Sequence, residues 1–279
     1  MAIIEVNNLV KTYKTIEKED GLLGYFKNLV KPKYNEFTAV NKINFNIEEG
    51  ELVGYIGENG AGKSTTIKML TGLLTPTSGS VLVNGIVPNE KRIQNNKNIG
   101  AVFGQKTQLW WDLPVIESFR LIRQMYKIPE GEYRKNLKKF TEILELDDLL
   151  EKQVKNLSLG QKMRCEIAAT FLHDPKIVYL DEPTIGLDVL VKENIRKFIK
   201  DINKEKNTTV ILTTHDLKDI EDVCNRIILL DKGQIIYDGE KQKFKDTYGK
   251  YIIAEFIIKE KKANISESIN SEEIQVLEE

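Results

Sequence analysis

The sequence predicts an α/β fold built on a mostly parallel sheet covered by helices. Three observations carry this. A buried strand at 51–56 runs into a glycine-rich loop and then a helix. A short apolar run, Ile177-Val178-Tyr179-Leu180, is bounded by Pro175 and Asp181, as a fully buried strand would be. From there to about residue 238, strands and helices alternate, the pattern of a parallel sheet with crossover helices.

Taken in order, residues 2–10 read as a strand ending at Lys11-Thr12-Tyr13-Lys14. Residues 15–36 hold Gly21, Gly24 and Pro32 among charged and aromatic residues and read as a long surface insertion. Residues 38–47 alternate apolar and polar, which suits a half-buried strand. Glu49-Gly50 turns the chain into the strand 51–56. A helix is expected from Lys63 to about Leu74, then a turn at Thr75–Gly79 and a strand at 80–84. Residues 115–150 read as helical with a break at Pro129-Glu130-Gly131, and 159–173 as another helix. The buried strand at 177–180 precedes a helix at about 189–206, a strand at 208–213, a helix at about 216–224 and strands at 226–231 and 234–238. Residues 251–258 read as one more strand, and 259–279 as a charged, serine-rich tail.

Composition narrows the function classes. The chain has 279 residues, 41% of them hydrophobic, enough to bury a sizeable core. Lys and Arg number 41 against 42 Asp and Glu, for a net charge of −1. That balance lacks the basic excess of a generic nucleic-acid binder, so no nucleic-acid partner is expected. Cys165 and Cys224 lack metal-ligand spacing and read as buried, reduced thiols. No apolar stretch approaches the ~20 residues of a membrane span, and the first residues do not form a signal peptide. The expectation is a soluble cytoplasmic chain.

The chemistry is concentrated in a few motifs. Gly57-Glu58-Asn59-Gly60-Ala61-Gly62-Lys63-Ser64 meets the spacing G-x-x-x-x-G-K-[S/T]. Glycines let such a loop turn tightly and aim amide hydrogens at phosphate oxygens, and the following helix N-terminus favours an anion. Lys63 can reach the β- and γ-phosphates of ATP, and the Ser64 hydroxyl can ligate Mg²⁺; Thr65 opens the helix beside them. A chance glycine turn would not sit between a strand and a helix. Asp181 and Glu182 follow the buried strand, at the carboxyl end where α/β sheets bind ligands. Asp181 is expected to face the phosphates from a neighbouring strand and hold Mg²⁺. Glu182 is placed to orient or deprotonate the attacking water.

With these residues in view, the chain resembles the ATP-binding cassette (ABC) ATPases from about residue 3 to 240. Leu157-Ser158-Leu159-Gly160-Gln161 is similar to the signature motif, usually LSGGQ. Gln105 matches the Q-loop glutamine, Ile185-Gly186-Leu187-Asp188 the D-loop, Thr214-His215-Asp216 the switch histidine, and Tyr13 the aromatic that stacks on adenine. The order is the family's order. His173 matches no motif and reads as structural.

The resemblance implies an ABC-type P-loop fold with an N-terminal antiparallel β subdomain and a helical signature subdomain at about 106–173. It implies a nucleotide-binding domain over 3–240, interrupted by the 15–36 insertion, and a C-terminal extension over 241–279. Two ATP molecules would be sandwiched between two such cassettes, with Ser158, Gly160 and Gln161 of one facing the phosphates on the loop of the other. Asp188 would contact the opposite subunit, His215 would touch the γ-phosphate and Glu182, and Gln105 would sense Mg²⁺ and link the site to a partner.

Departures from the pattern are informative. Leu159 replaces a glycine, so that position must not need a left-handed backbone. The Q-loop is one residue longer than usual, leaving Gln105 and Gln108 as candidates, with Gln105 preferred. Residues 103–114 and 157–164 resemble drug- and sodium-efflux ATPases whose membrane partners are separate six-helix permeases. Trp110 and Trp111 read either as core or as a groove for such a partner. The function this implies is the ATP-hydrolysing subunit of an exporter, on the inner face of the cell membrane, as a homodimer or heterodimer. A soluble ATPase acting on ribosomes or DNA is the alternative. Single-cassette length and the lack of sustained heptads argue against it. A non-hydrolysing regulator is disfavoured by the presence of both Glu182 and His215.

Overall fold

The computed structural model describes residues 2–16, 34–104 and 106–248. Two sheets organise them. Strands β1 (Ala2–Ile16), β2 (Tyr34–Glu48) and β4 (Ser78–Val83) form an antiparallel sheet in the order β2-β1-β4. The larger sheet has the order β5-β6-β7-β3-β8-β9. Its members are β3 (Leu52–Gly57), β5 (Ile99–Phe103), β6 (Ile177–Asp181), β7 (Thr209–Thr213), β8 (Arg226–Asp231) and β9 (Gln234–Glu240). The first five lie parallel; only β9 runs antiparallel, against β8.

The helices are α1 (Lys63–Leu70), α2 (Arg92–Asn96), α3 (Val115–Tyr126), α4 (Glu130–Leu144), α5 (Leu159–Phe171), α6 (Val189–Lys206), α7 (Leu217–Val223) and α8 (Lys241–Tyr248). The parallel strands are apolar on both faces, and period-2 alternation sends neighbours to opposite cores. Ile177, Tyr179 and Ile211 join Ile4, Val6, Val40, Phe45 and Ile67 between the two sheets. Val178, Leu180, Val210 and Leu212 join Phe119, Phe140, Phe171 and Phe198 beneath the helices. Cys165 and Cys224 are buried free thiols there, and burial pushes both up to about 12.

Several boundaries differ from the sequence expectation. β1 continues to Ile16 and β2 begins at Tyr34, so residues 15–16 and 34–36 belong to a paired hairpin, with Thr15 opposite Asn35. Lys14 and Glu36 form an ion pair across it at 2.7 Å. The rest of the 15–36 segment lies outside the described residues. Helix α1 stops at Leu70, short of Leu74, because Thr71 and Gly72 fold back onto Ile67 and Met69 carbonyls. Between α3 and α4 the break falls at Lys127–Pro129, and Glu130 opens α4 rather than interrupting it. β5 carries Gly100 in its interior, where a Cβ would meet the Thr170 side chain at 2.6 Å. Its weak apolar pattern hid it from sequence reading, as did the shortness of α2. Residues 241–248, in the expected C-terminal extension, form helix α8; the strand expected at 251–258 lies outside the described residues.

Candidate functional site

The carboxyl ends of β3, β6 and β7 meet the antiparallel hairpin around a cleft of about 450 Å3. The loop between β3 and α1 forms its floor. Gly62 has φ +106°, and a Cβ there would stand 2.4 Å from the Ala39 carbonyl oxygen. Only glycine allows the loop to close this tightly against β2. Helix α1 has no side-chain cap and no acidic residue in its first turn. The leading amides of Lys63, Ser64 and Thr65 are therefore open to an anion. The Lys63 ammonium lies across its own loop, donating to the Gly57 carbonyl at 2.6 Å and that of Glu58 at 3.0 Å. Burial pushes its pKa down, while Glu182 and Asp181 pull it up.

Ser64 and Asp181 are in contact: the Ser64 hydroxyl donates to Asp181 Oδ2 at 3.1 Å. The sequence expectation put Asp181 on a strand next to the loop's own. In the structure β7 intervenes between β6 and β3, so two strand spacings must be bridged. Thr213 on β7 does the bridging, donating from Oγ1 to Asp181 Oδ1 at 2.6 Å. No motif had singled out Thr213; its register opposite Asp181 is a tertiary fact. The donor set of Ser64 and Asp181 is all oxygen, which fits Mg²⁺, a cation that takes few protein ligands and keeps water or phosphate for the rest.

Glu182 sits just past the strand with φ +56°. A left-handed backbone is costly for a side chain with a Cβ and persists only where neighbours hold it. Its amide is held by the Thr213 carbonyl at 3.0 Å and the Thr213 hydroxyl at 3.2 Å. The result is to aim the carboxylate into the cleft, 3.1 Å from His215 Nε2. Burial raises the Glu182 pKa; His215 is the leading influence against it. A half-buried carboxylate with a raised pKa beside an imidazole can accept a proton from water.

On the opposite wall, Tyr13 pairs across the hairpin with Phe37. Both line the cleft, with Ala39 and Ile185 beside them. Sequence reading missed Phe37, whose place opposite Tyr13 depends on the hairpin register. Ala61, counted with the loop, does not line the cleft: it is buried in the same core cluster as Ile4 and Val40, and its carbonyl accepts from the Gly233 amide. Gly57 does not line the cleft either; it pairs with Leu230 of β8, and its carbonyl accepts from Lys63.

The remaining predicted residues lie elsewhere. Ser158 and Gln161 close a reciprocal capping box on α5, Ser158 Oγ accepting from the Gln161 amide and Gln161 Oε1 from the Ser158 amide. Leu159 is the first residue of that helix, where no left-handed backbone is needed. Gly160 packs toward Leu187 and Val191. Asp188 caps α6, accepting from the Val191 amide at 3.0 Å. None of Ser158, Gly160, Gln161 or Asp188 lines the cleft. Gln105 lies outside the described residues. Gln108 donates to the Thr170 hydroxyl at 2.7 Å and does not line the cleft. Trp110 and Trp111 are exposed rather than core, with the Lys162 ammonium 4.2 Å from the Trp111 ring. His173 is interior, stacked on Tyr126 and bonded to the Ile99 carbonyl; burial pushes its pKa down to about 4.

Comparison with known proteins gives concordant matches. The family model described as ABC transporter matches residues 40–185. ABC transporter A family member 8 of Dictyostelium discoideum is 34% identical over 86% of this chain, which spans 28% of that protein. The chain thus covers about a quarter of the length of the first curated relatives it matches. Linearmycin resistance ATP-binding protein LnrL of Bacillus subtilis is 34% identical over 76% of this chain and 68% of its own length. Among solved structures, the dimeric ATP-binding cassette MJ0796, in a post-hydrolysis state with ADP and Pi, superposes with a TM-score of 0.70. It is 28% identical over 85% of this chain and 98% of that one.

Proposed function

The chain belongs to the ABC transporter family and carries its ATPase cassette, and from that premise we propose that it is the ATP-hydrolysing subunit of an exporter driving a separate membrane permease. The observation that carries the reading is the meeting of Lys63, Ser64, Asp181, Glu182 and His215 in one cleft beneath Tyr13. Residues 3–240 form the nucleotide-binding unit, with 106–173 as its helical part and 241–279 as an extension.

Tyr13 stacks on adenine. Lys63 and the leading amides of α1 bind the β- and γ-phosphates. Ser64 and Asp181 hold Mg²⁺, which when bound neutralises phosphate charge. Glu182 takes a proton from the attacking water as it lines up with the γ-phosphorus. His215 fixes Glu182 and reaches the γ-phosphate, and Gln105 reports on the site to the partner.

The second half of the site comes from a second cassette. Ser158, Gly160, Gln161 and Asp188 stand away from the cleft of their own chain, among exposed Leu159, Ile185, Val189 and Leu190. Such an apolar surface suits a partner, and MJ0796 is itself dimeric. Closure around two ATP molecules would move bound permease helices, and hydrolysis would reopen the pair. Among the described residues no helix is long and apolar enough to cross a membrane; in this reading the permease is a separate partner and the cassette works at the inner face. The resistance relative LnrL supports export as the direction. Glu182→Gln tests the reading: turnover should fall about 10²- to 10⁴-fold while ATP still binds and drives dimerisation, seen by size-exclusion chromatography. Wild-type turnover in that variant would remove Glu182 from its role.

A further inference from the structure

Glu182 and His215 sit on separate loops, and a buried hub outside the cleft ties the two loops together. Asp219, on α7, is fully buried. Its Oδ2 accepts hydrogen bonds from two hydroxyls at once: Thr214 at 2.8 Å and Thr184. Thr184 lies two residues after Glu182, and Thr214 immediately precedes His215. Its Oδ1 accepts from Arg196 Nε at 2.6 Å. Arg196 is buried on α6 and also reaches Asp216 Oδ2 at 3.3 Å. One turn earlier on α6, Lys192 donates to the same Asp216 oxygen at 2.7 Å. The Asp216 amide in turn donates to the Thr214 hydroxyl at 3.0 Å.

Both neighbours of His215 are thereby anchored, Thr214 to Asp219 and Asp216 to Lys192 and Arg196. His215 itself is 46% exposed at the side chain, and its position is inherited from these anchors. The same carboxylate oxygen fixes Thr184, in the loop whose first residue, Glu182, has a left-handed backbone. A buried ion pair is a weak source of net stability, because desolvation offsets the attraction. What the Arg196–Asp219 pair does supply is an acceptor oxygen at a fixed place, shared by two loops. Charge-assisted bonds of this kind are short and directional.

We propose that Asp219, held by Arg196, is a positioning residue that sets the separation of Glu182 and His215 through Thr184 and Thr214. The inference rests on Glu182 and His215 acting in hydrolysis as proposed above. Neither Asp219 nor either threonine lines the cleft, so the effect of losing the hub falls on the chemical step rather than on ATP binding. A misplacement of one reacting group by a fraction of an ångström is enough to slow such a step.

Asp219→Asn removes the one fully buried carboxylate facing Arg196, leaving it the longer contacts to Asp216 and Asp222, and puts folding at risk, so the test uses Thr184. Thr184→Val keeps the shape and removes the hydroxyl; Thr184→Ser keeps the hydroxyl. Steady-state ATPase rates and equilibrium ATP binding are measured on the full chain, with Glu182→Gln alongside. Thr184→Val should lower kcat about tenfold, equivalent to ~1.4 kcal/mol, with the ATP dissociation constant within about twofold. Thr184→Ser should restore most of the rate. Wild-type kcat in Thr184→Val overturns the proposal. So does a loss carried by ATP affinity, or one equally large in Thr184→Ser. If Glu182→Gln is inactive while Thr184→Val is normal, only the hub fails; if Glu182→Gln turns over normally, the reading beneath it fails first.

Discussion

The phosphate loop and the signature helix α5 both begin at a helix N-terminus, yet the fold treats them in opposite ways. At Gly57–Ser64 the leading amides of α1 carry no side-chain cap, and the loop's partners come from β2, from β6 and from Gly233 between β8 and β9. At Ser158–Gln161 the helix is closed by its own capping box, and its apolar neighbour Leu159 is 45% exposed. One terminus is built into a cleft of its own chain; the other is complete as a local structure and displayed at the surface. The contrast teaches that motif resemblance alone does not say whether two motifs share a site. Here only the first belongs to the cleft of this chain, and the second is available to another.

The sharpest way to break that contrast is Lys63→Ala. Losing a charged donor to phosphate should weaken ATP binding by up to about a hundredfold, read by calorimetry. Unchanged affinity would mean that the cleft is not the nucleotide site. Ser158→Ala should behave differently. ATP affinity of the separate chain should hold, turnover should fall about tenfold, and stability should drop by ~1 kcal/mol through loss of the cap. An affinity loss matching that of Lys63→Ala would merge the two regions. A smaller effect probes the hairpin wall: Tyr13→Ala should weaken ATP severalfold, within the ~1–3 kcal/mol of an aromatic–base stack, with a lesser loss for Phe37→Ala. Equal binding of ATP and a base-free triphosphate by the unmodified chain would contradict both.

The subtlest expected change is in pH dependence. Glu182 acts deprotonated, and burial raises its folded pKa above the ordinary 4.5. The acid limb of kcat should therefore lie above pH 4.5, with activity rising as pH climbs through it. His215 is the largest influence lowering that pKa, so His215→Gln should move the limb to higher pH. A limb that stays put would separate the two residues.

Much of this was legible in the sequence because it is local. The phosphate loop, the carboxylates after a buried strand and the helix expected at 159–173 depend on residues a few positions apart. Helix α6 was expected at about 189–206 and spans that range, since its pattern of apolar residues is a local signal. Interior strands of long apolar runs were equally clear. β5 was not, because Gly100 breaks its pattern.

What the sequence by itself determined is the chemical inventory and its order: a phosphate loop, paired carboxylates and, through the family resemblance, a switch histidine and one aromatic, Tyr13. What only the tertiary structure decided is who meets whom. Strand order placed Thr213 between Asp181 and the loop. Hairpin register set Phe37 opposite Tyr13. The packing of α6 and α7 brought Arg196 and Asp219 together behind Glu182 and His215. These pairings join residues far apart in the chain, and their geometry follows from how layers pack, which no spacing in the sequence encodes.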